Sequence, residues 1–206
     1  MKLTIPELGE LTMLTLRSPK EAAQQIIGIG LPRDVLWSLL VLISVANAIL
    51  VWVSNVLTGP TPEQVEQMPI RIPEIIYSPL FAFVILAGAL TIMVNVLHWI
   101  GKAIGGTGSI ENMLSVLVWL QCLRMMTQII LLVLLFAAPS LAGLFGLIVS
   151  VLSIWILVHF VNEAAELDSV FKTIGVLLSA MVGIALGLSF LLTITGLATM
   201  GIDGHV

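Results

Sequence analysis

The chain has 206 residues, of which 59% are hydrophobic and 10% charged, and its formal net charge is −4. Soluble domains carry about 25% charged residues, so a chain of this size cannot hide so much apolar surface from water, and its surroundings must be largely lipid. The negative balance offers no basic face to nucleic acid, and the single cysteine, Cys122, excludes an internal disulfide.

The first 34 residues mix polar and apolar side chains and are expected to form a cytosolic or interfacial N-terminal segment. Ser18-Pro19-Lys20-Glu21 fits a capping box with proline at the first helical position. The apolar residues that follow share one helix face. This predicts a short amphipathic helix that either lies on the inner membrane surface or packs on the membrane bundle. A second short helix is predicted to start within Thr4-Ile5-Pro6-Glu7.

Five apolar runs are long enough to cross a bilayer, which takes ~20 residues. They are Val35–Leu57, Leu80–Ile100, Met113–Phe136, Leu141–Val161 and Thr173–Thr195. None of the nine prolines lies inside a run, as expected because proline removes a helical hydrogen bond and clashes with the preceding turn. The sequence therefore predicts an all-α, polytopic membrane domain of five transmembrane helices over residues 35–197, followed by a short outer tail, residues 198–206.

Lysine and arginine are unevenly distributed between the two sides of these spans. With the N-terminus inside, the outer segments hold only Arg71, and the inner segments hold Lys2, Arg17, Lys20, Arg33, Lys102 and Lys172. Short loops rich in these residues stay in the cytoplasm. We therefore predict a cytoplasmic N-terminus and a C-terminus on the outer side.

A glycine-rich stretch joins the second and third spans and contains Gly105, Gly106, Gly108 and Ser109. A Walker-type phosphate loop needs a lysine directly before a serine or threonine at the helix start. Here Lys102 precedes the glycines, and a membrane helix leads into them where that motif has a strand. Glycines with positive φ would close the second span, and Ser109 would cap the third. The stretch is therefore interpreted as a turn between two membrane helices.

A Gly-Gly-x-Gly-Ser turn between the second and third of five spans, with the N-terminus inside, resembles the Yip family. These are integral membrane proteins named for interaction with Ypt/Rab GTPases. The resemblance covers Arg17 to Leu197 and also rests on Ser18-Pro19 with its following helix. It implies the fold of a bacterial-type member, located in a bacterial inner membrane or alternatively an endomembrane. The Asp-Leu-Tyr-Gly-Pro segment of eukaryotic members is absent, so no Rab-linked role and no catalytic residue are carried over.

Arg124 is the only charged residue inside the five predicted runs. A charge at mid-span costs ~2.5–3.5 kcal/mol on insertion scales and usually faces the bundle interior or a wet cavity. Asn47, Gln121 and Gln128 are expected to form an intramembrane polar layer with it. Three uses remain open for Arg124: hydrogen bonds to these neutral partners, an anion or lipid-phosphate site, or a contact inside an oligomer.

A second polar cluster is predicted at the inner ends of the second and fourth spans. His159 and Glu163 are four residues apart and therefore share a helix face, a spacing that would suit a divalent metal with His98 as the third ligand. The alternative is ordinary interfacial side chains at a helix end. No cofactor is otherwise expected.

Small residues at four-residue steps mark one face of the fifth span, with Ser179, Gly183 and Gly187. Such spacing lets helix backbones approach closely in lipid. The stripe is interpreted as helix packing, either within the bundle or in a homo-oligomer.

Three functional hypotheses follow from these features. The first is a non-enzymatic scaffold or adaptor of the Yip type, linked to membrane organisation or trafficking, whose partners are the bilayer and other membrane proteins. The second is a small-solute transport or lipid-handling protein that uses the polar site around Arg124. The third is a metal-dependent membrane enzyme built on His98, His159 and Glu163.

Overall fold

The computed structural model describes residues 5–59 and 78–194, and over these ranges the chain forms seven α-helices and no strand. The all-α prediction is thereby confirmed. We number the helices α1 (Ile5–Arg17), α2 (Pro19–Gly28), α3 (Arg33–Thr58), α4 (Pro79–Ala103), α5 (Ile110–Ala137), α6 (Pro139–Ala165) and α7 (Val170–Ile194). The predicted outer loop between α3 and α4 and the predicted outer tail lie outside the described residues.

Helices α3 to α7 are each long and apolar enough to cross a membrane, which confirms the five predicted spans. Each begins or ends within four residues of the predicted run. The starts follow from local chemistry. The Ser78 hydroxyl accepts a hydrogen bond from the Phe81 amide at 3.0 Å, and that of Ser109 accepts one from the Asn112 amide at 3.1 Å. Both bonds use an amide that has no partner in the first helical turn.

The N-terminal segment forms two helices, as predicted, but the predicted capping box at Ser18 is wrong. The Ser18 side chain makes no capping hydrogen bond. Ser18 also ends α1, since its amide donates to the Leu14 carbonyl at 2.7 Å. Helix α2 starts at Pro19, as predicted, and the missing N–H of this proline would have had no helical partner at this position.

The five long helices alternate in direction along the chain, so their ends gather into two groups. We call one group the loop end: it contains the starts of α3, α5 and α7, the ends of α4 and α6, and the turns 104–109 and 166–169. The opposite group is the far end. Helices α5 and α6 form the most extensive pair, because only a tight turn at Ala138 and Pro139 separates them.

The buried core lies at the loop end. Among the long helices, the described buried side chains lie within the sixteen residues nearest that end, with Ala142 as the exception. Helix α5 is the centre of this core, since six residues between Met113 and Trp119 are buried. Helix α2 adds Ala22, Ala23 and Ile26, which pack against α5 and α6. The predicted amphipathic helix is thus docked on the bundle.

Toward the far end, large apolar side chains are exposed on every long helix. They include Val56, Leu80, Val133, Leu147 and Phe190. Lipid tails solvate such side chains as well as a protein core does, so membrane helices can expose them without a hydrophobic penalty. On α6, exposed side chains between Leu147 and Trp155 line an open apolar groove of about 540 Å³.

Candidate functional site

The glycine-rich stretch forms a compact turn at the loop end, and the backbone amides of its three glycines are already used. The amides of Gly105 and Gly106 donate to carbonyls at the end of α4 at 3.1 and 2.8 Å, and that of Gly108 donates to the Ala165 carbonyl at 3.2 Å. A phosphate loop needs such amides free to point at the anion. The structure therefore supports the turn and leaves no phosphate cradle here.

The three glycines serve two different purposes in this turn. Gly105 has φ +96°, a conformation that other residues rarely adopt. The sequence also allowed positive φ at Gly106, but Gly106 and Gly108 are needed for close approach. A Cβ at Gly106 would lie 2.5 Å from the Ala165 carbonyl oxygen, and one at Gly108 would lie 2.8 Å from the carbonyl carbon of the same residue. The backbone of the turn is thus in close contact with the backbone at the end of α6.

Glu166 ends α6 and holds the other side of this contact. Its φ of 52° makes it the only described residue other than glycine with positive φ, a conformation that costs ~1–2 kcal/mol for an L-residue. Its carboxylate accepts hydrogen bonds from the Thr107 hydroxyl at 2.5 Å and from the side-chain amide of Asn112 at 3.3 Å. Lys102 completes the turn by donating to the Thr107 carbonyl at 3.0 Å. The side chains therefore lock two loops together.

Two polar contacts tie the N-terminal helices to the bundle. In the interior, the Trp119 indole N–H donates to the Thr15 hydroxyl at 3.1 Å, and both residues are buried. At the surface, Glu163 accepts a hydrogen bond from Gln24 at 2.8 Å and lies 3.6 Å from the Lys20 ammonium. Together with the apolar face of α2, these contacts fix α1 and α2 on α5 and α6.

The three predicted metal ligands are not gathered into a site. Among the described residues, no group of three His, Cys, Asp or Glu side chains is placed to hold a metal ion. Glu163 is engaged by α2, as above. Nδ1 of His159 lies 2.8 Å from the Trp155 carbonyl, and the two rings meet edge to face. His98 is half-buried on α4 and makes no hydrogen bond within the described chain.

Arg124 lies at the middle of α5 and is exposed. It makes no hydrogen bond and no ion pair with the described residues, so the neutral partners expected from the sequence do not bind it. Gln121 and Gln128, one turn to either side, are partly exposed and likewise make no described side-chain hydrogen bond. The three side chains share a level of the bundle without forming a network.

Asn47 on α3 lies at the same distance from the loop end as Arg124 but is buried, with 2% of its surface exposed. Its amide nitrogen donates to the Ile43 carbonyl one turn earlier, at 2.9 Å. Its oxygen Oδ1 is buried and accepts no hydrogen bond from the described residues. A buried acceptor in that state costs free energy, so Asn47 does not strengthen the bundle through this oxygen.

Helix α6 carries a second stripe of small residues at four-residue steps, Ala142, Gly146 and Ser150, which differs from the α7 stripe in its surroundings. On α6, Ala142 is buried, and a Cβ at Gly146 would meet the Leu131 side chain of α5 at 3.5 Å. On α7, Ser179 is exposed, and a Cβ added at Gly183 or Gly187 would meet nothing within 4 Å. The α6 stripe therefore packs within the bundle, and the α7 stripe has no described neighbour inside the chain.

With this geometry in view, comparison with known protein families gives one clear match. The model of the Yip1 domain matches residues 13–198, from the middle of α1 past the last described helix. The chain belongs to the Yip1 domain family. A comparison with curated proteins and another with solved structures found no match. The family and the five apolar helices together make the chain a multi-pass integral membrane protein in contact with the bilayer.

Several residues that shape this Yip1 domain could not be read from the sequence. Thr15 and Trp119 are far apart in the chain, and the one available signal was the indole itself, since a buried indole N–H usually finds a partner. Glu166 and Thr107 carried no local signal. Glutamate is not a residue that favours left-handed backbone, and the partner that fixes it lies in another loop.

Proposed function

We propose that this Yip1 domain protein is a non-enzymatic scaffold or adaptor that organises membrane or partner proteins in a bacterial inner membrane. The structure of the loop end supports this proposal. The long helices share a buried core there, and α1 and α2 pack against that core. A side-chain hydrogen bond between Thr107 and Glu166 joins the two turns. A rigid surface of this kind holds its contact residues in fixed positions. A partner then binds without a large ordering cost.

The proposed orientation places the loop end and the N-terminus in the cytoplasm. It is supported by the lysine and arginine residues, which concentrate on the segments of that side. Fusions at the C-terminus would test it. Alkaline phosphatase there should be active and a fluorescent protein dark, since five spans place the two termini on opposite sides. The reverse pattern would contradict the orientation.

Within the membrane, the proposed contact surface is the α7 stripe of Ser179, Gly183 and Gly187. These residues have no described neighbour within the chain, and small side chains at this spacing let a second helix approach closely in lipid. The proposed partner there is a helix of another membrane protein or of a second copy of the chain.

Site-specific photocrosslinking in intact cells would test the scaffold. A crosslinking amino acid at Gln25 on α2 and another at Ser179 on α7 should give protein adducts of defined mass. The same residue at Val151, which is 73% exposed on the lipid-facing side of α6, provides the control and should give none. The substitution Gly183→Leu should remove the Ser179 adducts and leave those at Gln25. Equal patterns at all three positions would contradict the proposal.

The second candidate function is small-solute transport or lipid handling around Arg124. The exposure of Arg124 and its lack of a described acceptor favour this candidate, because a sealed bundle would bury and bond the guanidinium. Flux through vesicles that contain the purified protein should fall when Arg124 is replaced by glutamine. Flux equal to that of protein-free vesicles would rule out transport and leave lipid binding as the remaining form of this candidate.

A further inference from the structure

Arg124 is a cation that forms no ion pair with the described residues. The carboxylates of α3, α5 and α6 all lie near the loop end of their helices, and α4 and α7 have none in the described range. Glu111, on the same helix, is thirteen residues away, which is ~20 Å at 1.5 Å per residue. The guanidinium also forms no ion pair with the carboxylates of α1 and α2 in the described range.

Helix α1 marks where the hydrocarbon region begins. It faces the bundle with Leu11 and Thr15, and the side turned away exposes Met13 and Leu16. Glu10 and Arg17 are exposed along one edge. A helix with an apolar side and a charged edge lies in the interface between headgroups and acyl chains. The loop end below α1 is thus in water, and the far end is in lipid.

Arg124 lies close to that boundary. The hydrogen bond between Thr15 and Trp119 places α1 beside Trp119. Arg124 is five residues farther along α5, or ~7.5 Å. Helix side chains lean toward the N-terminus of their helix, which for α5 is the loop end. A long arginine side chain therefore carries its guanidinium down to the level of the lipid headgroups.

A second donor without a partner lies at the same level. Leu131 of α5 faces Gly146 of α6, and the two helices are antiparallel neighbours. Arg124 lies seven residues before Leu131 and Ser153 seven residues after Gly146, two helical turns each. Arg124 and Ser153 are therefore level, on the facing sides of their helices. Both are exposed, and the Ser153 hydroxyl makes no hydrogen bond with the described residues.

We propose that Arg124 and Ser153 bind the phosphate of a membrane phospholipid from the leaflet on the side of the loop end. A guanidinium and a hydroxyl donate to phosphate oxygens, and a charge-assisted bond of this kind is stronger than a neutral one. The acyl chains lie along the apolar helices toward the far end. This site deepens the second candidate function, in its lipid-handling form, and does not depend on the scaffold.

Native mass spectrometry of the full-length protein in detergent would test the site, with phosphatidylglycerol as the probe. Arg124→Gln should weaken phosphatidylglycerol binding about tenfold or more, because it removes a charged hydrogen bond. Arg124→Lys should keep most of the binding, since the charge remains, and Ser153→Ala should weaken it a few-fold. Arg33→Gln is the matched control: it also removes one exposed positive charge, but from the start of α3, and should leave binding unchanged.

Two further probes separate the sources of the ligand. Diacylglycerol has the same acyl chains without phosphate and should not bind at this site. Millimolar inorganic phosphate should not displace the phospholipid. Equal binding of diacylglycerol, equal binding to Arg124→Gln, or displacement by inorganic phosphate would each overturn the proposal. Arg124 makes no hydrogen bond or ion pair with the described residues, so Arg124→Gln should fold and melt like the wild type. If it does not fold, Ser153→Ala and Arg124→Lys decide the question. The assay measures binding alone, so its outcome is separate from flux and from protein crosslinking.

Discussion

Replacing Gly108 by alanine should destabilise the protein strongly, because this glycine lies against the backbone of α6. A methyl group at Gly108 would fall inside contact distance of the Ala164 carbonyl oxygen and 2.8 Å from two backbone atoms of Ala165. Backbone atoms at a helix end cannot turn aside as a flexible side chain can. The turn would have to move away, and the hydrogen bond from the Gly108 amide to Ala165 would be lost.

The expected cost of Gly108→Ala combines two effects. Overpacking costs ~1–3 kcal/mol, and a lost backbone hydrogen bond costs ~0.5–1.5 kcal/mol. The sum is ~1.5–4.5 kcal/mol. At ~2–4 °C per kcal/mol for a chain of this size, the melting temperature should fall by roughly 3–18 °C. The change in melting temperature would be measured on a fluorescent-protein fusion. The fusion is heated in detergent, and size-exclusion chromatography then gives the fraction that remains folded at each temperature.

Gly88→Ala provides the matched control for this substitution. Gly88 lies inside α4, and a Cβ there would meet nothing within 4 Å. Alanine is the better helix former by ~0.8–1.0 kcal/mol, so Gly88→Ala should leave the melting temperature unchanged or raise it. If Gly108→Ala melts within about 2 °C of the wild type, the described contact between the glycine turn and α6 does not limit stability, and the reasoning fails.

Three further predictions concern side chains that the structure pairs or leaves alone. Thr15→Val should increase hydrogen exchange in α1 by about tenfold, because it leaves the buried Trp119 indole N–H without an acceptor at a cost of ~1–3 kcal/mol. Thr12→Val is the control and should not increase exchange, since the Thr12 hydroxyl bonds only within α1. Equal effects of the two substitutions would refute the role of the bond between Thr15 and Trp119. Asn47→Leu should leave the melting temperature unchanged or raise it by a few degrees in the same thermal assay, since it removes a buried oxygen that accepts no hydrogen bond from the described residues. A fall of more than about 5 °C would show that this oxygen is hydrogen-bonded in the membrane. Lys20→Met should lower the melting temperature by less than about 3 °C. The Lys20 side chain is 64% exposed in its ion pair with Glu163, and exposed ion pairs contribute ~0–1 kcal/mol to stability. A larger fall would mean that this ion pair holds α2 in place.

The membrane helices could be predicted from the sequence because each rests on local rules. Run length and proline placement located the five spans, and Ser109 was recognised as a cap because its partner lies three residues away. The contacts of Glu166 and Trp119 are between distant segments and left no local mark. The polar layer stays a prediction. Arg124 and Asn47 lie at the same depth of the bundle, but they are on different helices, and Arg124 is exposed whereas Asn47 is buried.

The position of the core follows from where water meets the chain. Burial of apolar side chains is favourable only when it removes them from water, and inside the bilayer the alternative to burial is lipid. The far end can therefore leave residues such as Val133 exposed, while the loop end must bury Met113 to Trp119 and cover them with α1 and α2. Stability should accordingly be concentrated at the loop end. A conservative change such as Val133→Ala should then cost much less than Leu114→Ala, although both remove apolar carbon from a long helix. The thermal assay that measures Gly108→Ala would distinguish them, and equal losses would mean that far-end packing contributes as much as the loop-end core.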